Sequence, residues 1–385
     1  MEADMEFGIT EEQNMLRDSV RRFMKRECPR DYIRACSEND RFPMELYDKM
    51  VKQGWLGIIF PVEYGGAGLS PIELAIFFEE AAYAWYAAGV SYFSTVILGG
   101  YHILTYGTED QKKKFIPKII NGECKLAFAL SEPNVGSDAA AVELFAAEDG
   151  DGFVVNGTKM FITNAHVADY LVTVTRTRRD VKKKHEGISI FLISTKSPGL
   201  QIRPLKQLGR GATHTNEIIF QDVRVPKENL MGKLDQGWGN LNKGLEMERL
   251  AVAIMYSGTA QSIIDYAMEY AKKRTQFGQP ICKFQAIQHK FADMQIRVDC
   301  ARLLSYRGAW MLKEGMPCFK EVSIAKLHAS ETIFYVANEG VQIMGGYGVM
   351  KEYDMEMFFR DSRIGMIGAG SSEIQRTIIA KQMGL

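Results

Sequence analysis

What this sequence lacks narrows its function before any motif is read. Its six cysteines, Cys28, Cys36, Cys124, Cys282, Cys300 and Cys318, form no Cys-x-x-Cys pair and no metal-ligand spacing. That argues against a structural metal site or a disulfide scaffold and fits free thiols in a reducing compartment. No charge of either sign is in excess, with 47 Lys plus Arg against 47 Asp plus Glu, so nothing favours nucleic acid or an anionic membrane surface. No apolar stretch reaches the roughly 20 residues that span a bilayer; Tyr92 to Tyr106 is short and holds Gly99 and Gly100. The acidic start, Met1-Glu-Ala-Asp-Met-Glu6, has neither the basic-then-apolar plan of a secretory signal nor the arginine-rich character of a transit peptide. A cytoplasmic protein without membrane insertion is the expectation.

Nucleotide loops are missing too. Pro61-Val-Glu-Tyr-Gly-Gly-Ala-Gly-Leu-Ser-Pro71 is glycine-rich but lacks the lysine and serine of a phosphate loop, and reads as a turn that ends in a helix entry at Ser70-Pro71. Met344-Gly-Gly-Tyr-Gly348 follows no strand, so it fails the context of a dinucleotide fingerprint. The basic run from Arg176 to His185 lies between strand-like segments and reads as a solvated hairpin loop.

What is present is a chain of 385 residues, 46% hydrophobic, long enough for two or three domains. Thr10-Glu-Glu-Gln13 is a capping box, and helical periodicity follows to about Gly122. The pattern then changes. Gly152 to Thr158, Tyr170 to Thr175, Ile188 to Ile193 and Asn216 to Phe220 are β-branched and aromatic, and read as an antiparallel barrel or sandwich. Helical runs return over Leu241 to Arg274, Gln285 to Lys313 and Phe319 to Met344. The expected fold class is α+β multidomain: an N-terminal helical domain over 1–122, a central β-domain over 123–234 and a C-terminal four-helix bundle over 235–385. This order excludes an alternating βαβ fold.

Five motifs occur in a fixed order: Phe128-Ala-Leu-Ser-Glu-Pro-Asn-Val-Gly-Ser-Asp138, Phe161-Ile-Thr-Asn164, Arg274-Thr-Gln-Phe-Gly278 with Phe284-Gln285, Gln342-Ile-Met-Gly-Gly346, and Ser371-Ser-Glu-Ile-Gln375. Taken singly, each has a bland reading. Serines and threonines in a strand-rich region are mostly turn residues, Arg274 could complement a helix dipole, and Gly345 with Gly346 could merely stop a helix. Together they resemble the acyl-CoA dehydrogenase family across nearly the whole chain.

The resemblance implies FAD as cofactor, an acyl-CoA substrate, an electron-transfer flavoprotein as partner and a homotetramer. It places Phe128, Leu130, Ser131, Phe161 and Thr163 at the flavin ring, and Ser137 where flavin and CoA come together. Arg274, Phe277, Gln285, Gln342, Gly345 and Gly346 would serve the flavin's other end, with Arg274 and Gln285 coming from a neighbouring subunit. Ser371 and Glu373 belong to the last flavin-site signature, while Glu246, Met247, Arg249, Tyr270, Ala369 and Gly370 would line the substrate. Phe161 departs from the tryptophan of many members.

Ala369 is the larger departure, because most members carry the base that takes the substrate's alpha proton there. Upstream, Leu245-Glu-Met-Glu-Arg-Leu250 offers Glu248, a placement similar to isovaleryl-CoA dehydrogenase-type members. The bland reading is a surface glutamate or an ion-pair partner of Arg249 or Lys243; the empty position at 369 reverses those odds. Glu246 is its rival, and two helical positions that close face different ways. Missing side-chain volume at Ala369 suits a short branched or cyclic acyl group, and Tyr92 and Phe93 are candidates to block long chains. An enoyl-CoA reductase running in reverse, similar to crotonobetainyl-CoA reductase, and a non-enzymatic flavin-binding homologue are the alternatives. His214, alone in its loop, reads as solvated.

Overall fold

In the computed structural model, which describes residues 8–385 apart from the side chain of Lys243, the N-terminal helices pack directly on the C-terminal ones and a sheet lies beside them. The acidic first residues lie outside the described part. Seven α-helices come first: α1 (Glu11–Glu27), α2 (Arg30–Glu38), α3 (Met44–Lys52), α4 (Pro71–Ala84), α5 (Tyr86–Thr95), α6 (His102–Tyr106) and α7 (Glu109–Ile120). The Thr10 box forms as expected, with Gln13 N–H donating to Thr10 Oγ1 and Thr10 N–H to Gln13 Oε1. Ser70 and Glu73 build a second box at α4, and Thr108 and Gln111 a third at α7.

The glycine pair expected to interrupt 92–106 does not break the helix. Val96–Tyr101 widens into a π-turn that joins α5 to α6, and the whole of Tyr86–Tyr106 runs as 21 helical residues. A Cβ on Gly99 would enter Leu126, and one on Gly100 would enter the Phe60 ring, so the bulge is where the helix passes closest to its neighbours. With 89% of its most apolar window buried inside the protein, this is an interior helix. Tyr92 is likewise core: its hydroxyl donates to the Trp55 carbonyl at 3.1 Å, and its ring packs on Phe77 and Phe78.

The central strands are β1 (Leu126–Ala129), β2 (Phe145–Asp149), β3 (Gly152–Thr163), β4 (Tyr170–Arg176), β5 (Ile188–Ser194), β6 (Leu200–Pro204), β7 (Thr215–Pro226) and β8 (Leu230–Met231). They make one eight-stranded sheet in the order β6-β7-β3-β2-β4-β5-β8, with β1 on β4. The expected antiparallel barrel is corrected to an open mixed sheet, because β1 runs parallel to β4, and β2 meets β4 in parallel at Phe145 and Arg176. Those pairings join segments far apart in the chain, which strand periodicity does not reveal.

The three long helical runs are found as α8 (Gly237–Lys273), α9 (Gln285–Lys313) and α10 (Phe319–Met344). A short hairpin of β9 (Thr275–Gln276) and β10 (Gln279–Pro280) links the first two, and α11 (Met355–Ser362) and α12 (Ser372–Gln382) complete the bundle. One continuous core runs through the N-terminal helices and the bundle, while the outer face of the sheet has its own.

Candidate active site

The chemistry gathers at the N-terminal half of α8. Gly244 packs against the imidazole of His102, so tightly that a Cβ there would lie inside the ring. His102 is fully buried and stacks on Phe128 of β1, with ring centroids 5.0 Å apart. Glu248 follows Gly244 by one helical turn and so continues the same stripe of α8. Glu248 is half-buried, and it makes no hydrogen bond or ion pair among the described residues. Burial pushes its carboxyl up to about 7, against the opposing pull of Arg249 and Lys326.

Glu246 shares Arg249 with Glu248 but otherwise acts on different groups, Tyr101, Tyr106 and Cys318. Arg249 is buried, its guanidinium 4.6 Å from the centre of the Phe319 ring, and its Nε and Nη1 have no partner among the described residues. Met247 is buried in the bundle core.

Lys326, whose charge acts on Glu248, also holds the loop that precedes α12. Ala369 has φ of +53°, a left-handed conformation that costs a residue with a Cβ of order 1 kcal/mol and persists only where neighbours enforce it. Here Gln375 Nε2 donates to the carbonyls of Ala369 (2.9 Å) and Gly370 (3.2 Å). The ammonium of Lys326, from α10, donates to the carbonyls of Gly365 (3.0 Å) and Gly370 (2.7 Å). The Ala369 N–H has no acceptor among the described residues. Ser371 caps α12 by accepting from Ile374 N–H, and Glu373 is exposed in that helix's first turn.

On the sheet side, the strand end carrying Leu130 and Ser131 is held by a buried ion pair. Lys159 donates to Glu132 Oε1 and to the Leu130 carbonyl, both at 2.8 Å, and Met160 N–H donates to the Ser131 carbonyl. Glu132 also accepts from the N–H groups of Glu143 and Leu144, so it anchors both segments. Register slips between Lys159 and Ile162 in the β3–β7 ladder, and at that bulge Phe161 takes φ of +64° and is 65% exposed. Thr163 is half-buried, and the next residue, Asn164, donates to Ser94 while its Oδ1 stays unpartnered. Ser137 is exposed beside the Asp138–Lys184 ion pair.

Not all the expected residues meet. Arg274, Phe277, Gln285, Gln342, Gly345 and Gly346 cluster at the opposite end of α8, about 45 Å from Gly244 at the helical rise. Tyr270 belongs to this far end, ringed by Tyr347 and Tyr353, and about 33 Å of helix separates it from Glu248. Its expected place in the same chain's acyl pocket is therefore corrected. A cavity of about 420 Å³ opens there, lined by Tyr270, Arg274, Gly345, Gly346 and Tyr347 among others. The Arg274 guanidinium has no ion pair among the described residues, and Cβ atoms on Gly345 and Gly346 would meet nothing. Phe277 and Gly278, both at positive φ, form the hairpin tip and leave Phe277 93% exposed.

These groups fit a flavin dinucleotide. Two exposed phenylalanines in left-handed conformations offer flat faces, Asn164 Oδ1 is an orphaned acceptor, and Arg274 with two bare glycines suits a pyrophosphate. Sequence reasoning missed Lys326, Gln375, His102 and Lys159. The signal for Lys326 was a single charge on the helical stripe of Val322, Ala329 and Ile333, all buried. His214 is half-buried and not alone in its loop: its ring lies 4.4 Å from that of His166, and Nε2 bonds the Asp40 carbonyl.

Comparison with known proteins gives the same picture along the whole chain. Family models for the acyl-CoA dehydrogenase N-terminal, middle and C-terminal domains match residues 10–123, 127–223 and 235–384. The chain is 40% identical to "Probable acyl-CoA dehydrogenase YngJ" of Bacillus subtilis, covering 98% of this chain and all of that one. It is 39% identical to the caffeyl-CoA reductase-Etf complex subunit CarC of Acetobacterium woodii, covering 97% and 98%. Its fold superposes on butyryl-CoA dehydrogenase from Megasphaera elsdenii with a TM-score of 0.95 and 32% identity, over 99% and 100% of the two chains.

Proposed function

Because the chain belongs to the acyl-CoA dehydrogenase family, FAD-dependent oxidoreductases acting on CH–CH bonds, we propose that it desaturates a short, branched or cyclic acyl-CoA between its alpha and beta carbons, with Glu248 as the base. The observation that carries this reading is Glu248 itself. It is a carboxylate with no hydrogen bond or ion pair among the described residues, raised by burial to about 7, and the buried Lys326 that acts on it also holds the 365–370 loop, where Ala369 offers no titratable side chain. A carboxylate poised near neutrality is an effective proton acceptor.

Bound FAD supplies the hydride acceptor for the beta carbon. The chain's part is the alpha proton. The Glu248 carboxylate takes it from the carbon beside the thioester, and the unpaired Ala369 N–H stabilises the negative charge that builds on the thioester oxygen. Ala369 supplies this donor as well as glutamate would, since the donor is backbone. The volume freed beside Gly370 supports the branched or cyclic acyl group.

The flavin groups at the two ends of α8 support an oligomeric holoenzyme, in which Phe161 of one copy and Arg274 of another hold one cofactor. An electron-transfer flavoprotein is the proposed redox partner, supported by the printed name of the A. woodii relative. That name also favours the second reading, reduction of an enoyl-CoA in the reverse direction.

Anaerobic bleaching of the bound flavin by straight, branched and cyclic acyl-CoAs tests the assignment. Rapid bleaching by a branched or cyclic thioester is the expected result. Bleached enzyme reoxidised only by enoyl-CoA, with no saturated thioester reacting, would replace it with the reductase reading.

A further inference from the structure

Lys326 lies two turns into α10 with its side chain fully buried, yet no carboxylate lies within 4 Å of its ammonium among the described residues. Burying an unpaired ammonium costs several kcal/mol even after relaxation, and two carbonyl acceptors could be met more cheaply by a neutral donor. A retained charge at such a cost points to a site where the charge itself is used.

The charged groups that act on Lys326 are Glu248 and Arg249 from α8, Glu331 from α10 itself and Glu373 from α12. Glu331 is already paired with Arg376 at 2.6 Å, and Glu373 is exposed. Glu248 remains the half-buried carboxylate with no other close partner. The same ammonium grips the Gly365 and Gly370 carbonyls, the two ends of the loop that carries Ala369. One side chain thus touches the loop and acts electrostatically on the base.

We propose that Lys326 is a positioning residue of the reaction: it ties the 365–370 loop so that the Ala369 N–H is held for the thioester oxygen, and it sets a fixed positive charge against which the Glu248 carboxylate works. This deepens the assignment of Glu248 as base and rests on it. The charge and the tether act in the same direction. A cation near Glu248 favours its ionised form, and the same field favours the enolate-like charge that develops as the alpha proton leaves. Burial lowers the Lys326 ammonium to about 8, so it stays largely protonated through neutral pH.

Two substitutions in the FAD-loaded enzyme separate the roles. Lys326→Gln keeps a donor for the loop carbonyls but removes the charge. Without the cation the Glu248 carboxyl rises further, so the acid limb of kcat should move up by about one pH unit, kcat at pH 7 should fall about fivefold, and KM should stay within about threefold. Lys326→Met also removes the tether. Its readout is the red shift of bound cinnamoyl-CoA absorbance, measured in a Glu248→Gln background, which reports thioester polarisation independently of the base. That shift should fall by about half or more.

Wild-type kcat and an unmoved acid limb in Lys326→Gln would overturn the electrostatic role, and an unchanged cinnamoyl-CoA shift in Lys326→Met would overturn the tether. Should Lys326→Met fail to retain flavin, Lys326→Leu, which likewise has no donor for the Gly365 and Gly370 carbonyls, carries the tether measurement. Normal turnover by Glu248→Gln alone would remove the base assignment, yet the cinnamoyl-CoA shift would still decide the tether.

Discussion

Lys159 and Glu132 form an ion pair in which neither side chain is more than 3% exposed, with Nζ to Oε1 at 2.8 Å. The pair joins β3 to the segment that carries Leu130 and Ser131, because the same ammonium also holds the Leu130 carbonyl. A buried pair of this kind need not add net stability over an apolar one, but breaking it leaves an isolated charge. Lys159→Met should therefore destabilise the protein by about 3–5 kcal/mol and lower its flavin content. The double variant with Glu132→Leu should recover part of the loss. Thermal melting and flavin-to-protein absorbance ratios check both.

The contact of Gly244 with His102 makes a second prediction. Gly244→Ala would place a methyl group within the buried imidazole, and the ring is backed by Phe128, so it has no room to swing aside. A loss of about 1–3 kcal/mol is expected, as for other overpacked cores. Adding His102→Ala to that variant should cost less than His102→Ala does alone, and a double-mutant cycle measured by denaturant unfolding tests it.

Glu248 should reveal itself in two pH profiles of opposite sense. The base must be ionised, so kcat should rise with pH through about 7. Stability runs the other way. The folded protein disfavours the charged form, so the contribution of this group is full below its ordinary value of 4.5 and is lost as pH rises through about 7. Glu248→Gln should then lower kcat by about 10²–10⁴ while making the fold more stable at pH 8 by about 1–3 kcal/mol. Stopped-flow bleaching and melting curves across pH 5–9 provide the check.

The separation of the flavin groups along α8 predicts complementation between subunits. Homo-oligomers of Glu248→Gln lack the base, and those of Arg274→Gln should bind flavin weakly. Unfolded together and refolded as a mixture, they should regain about a quarter of wild-type activity, since half of the dimers are mixed and one of the two sites in each is intact. No recovery on mixing would show that each chain holds its flavin alone.

Much of this architecture was legible locally. The limits of α9 and α10 follow from their apolar periodicity and flanking breaks, and the box at Thr10 and the Ser70-Pro71 entry mark their helix starts. Glu248 could be singled out only because Ala369, more than a hundred residues later, lacks a carboxylate; that signal is a comparison of positions within a family and not a local rule. Tyr270 was misjudged for the converse reason. A sequence shows that it lies on the same helix as Glu248, but a helix of 37 residues has two ends that serve different sites.

The sequence by itself determined the order of helices, strands and helices, the caps that start them and the motifs that identify the family, because each depends on residues within a turn or a strand of one another. Only the tertiary structure decided that β1 pairs in parallel with β4, that His102 fills the space over Gly244, and that Lys326 reaches both the Ala369 loop and the field of Glu248. Those relationships join groups tens to hundreds of residues apart. Their energies come from burial and from the cost of leaving charge unpaired, which no local spacing encodes.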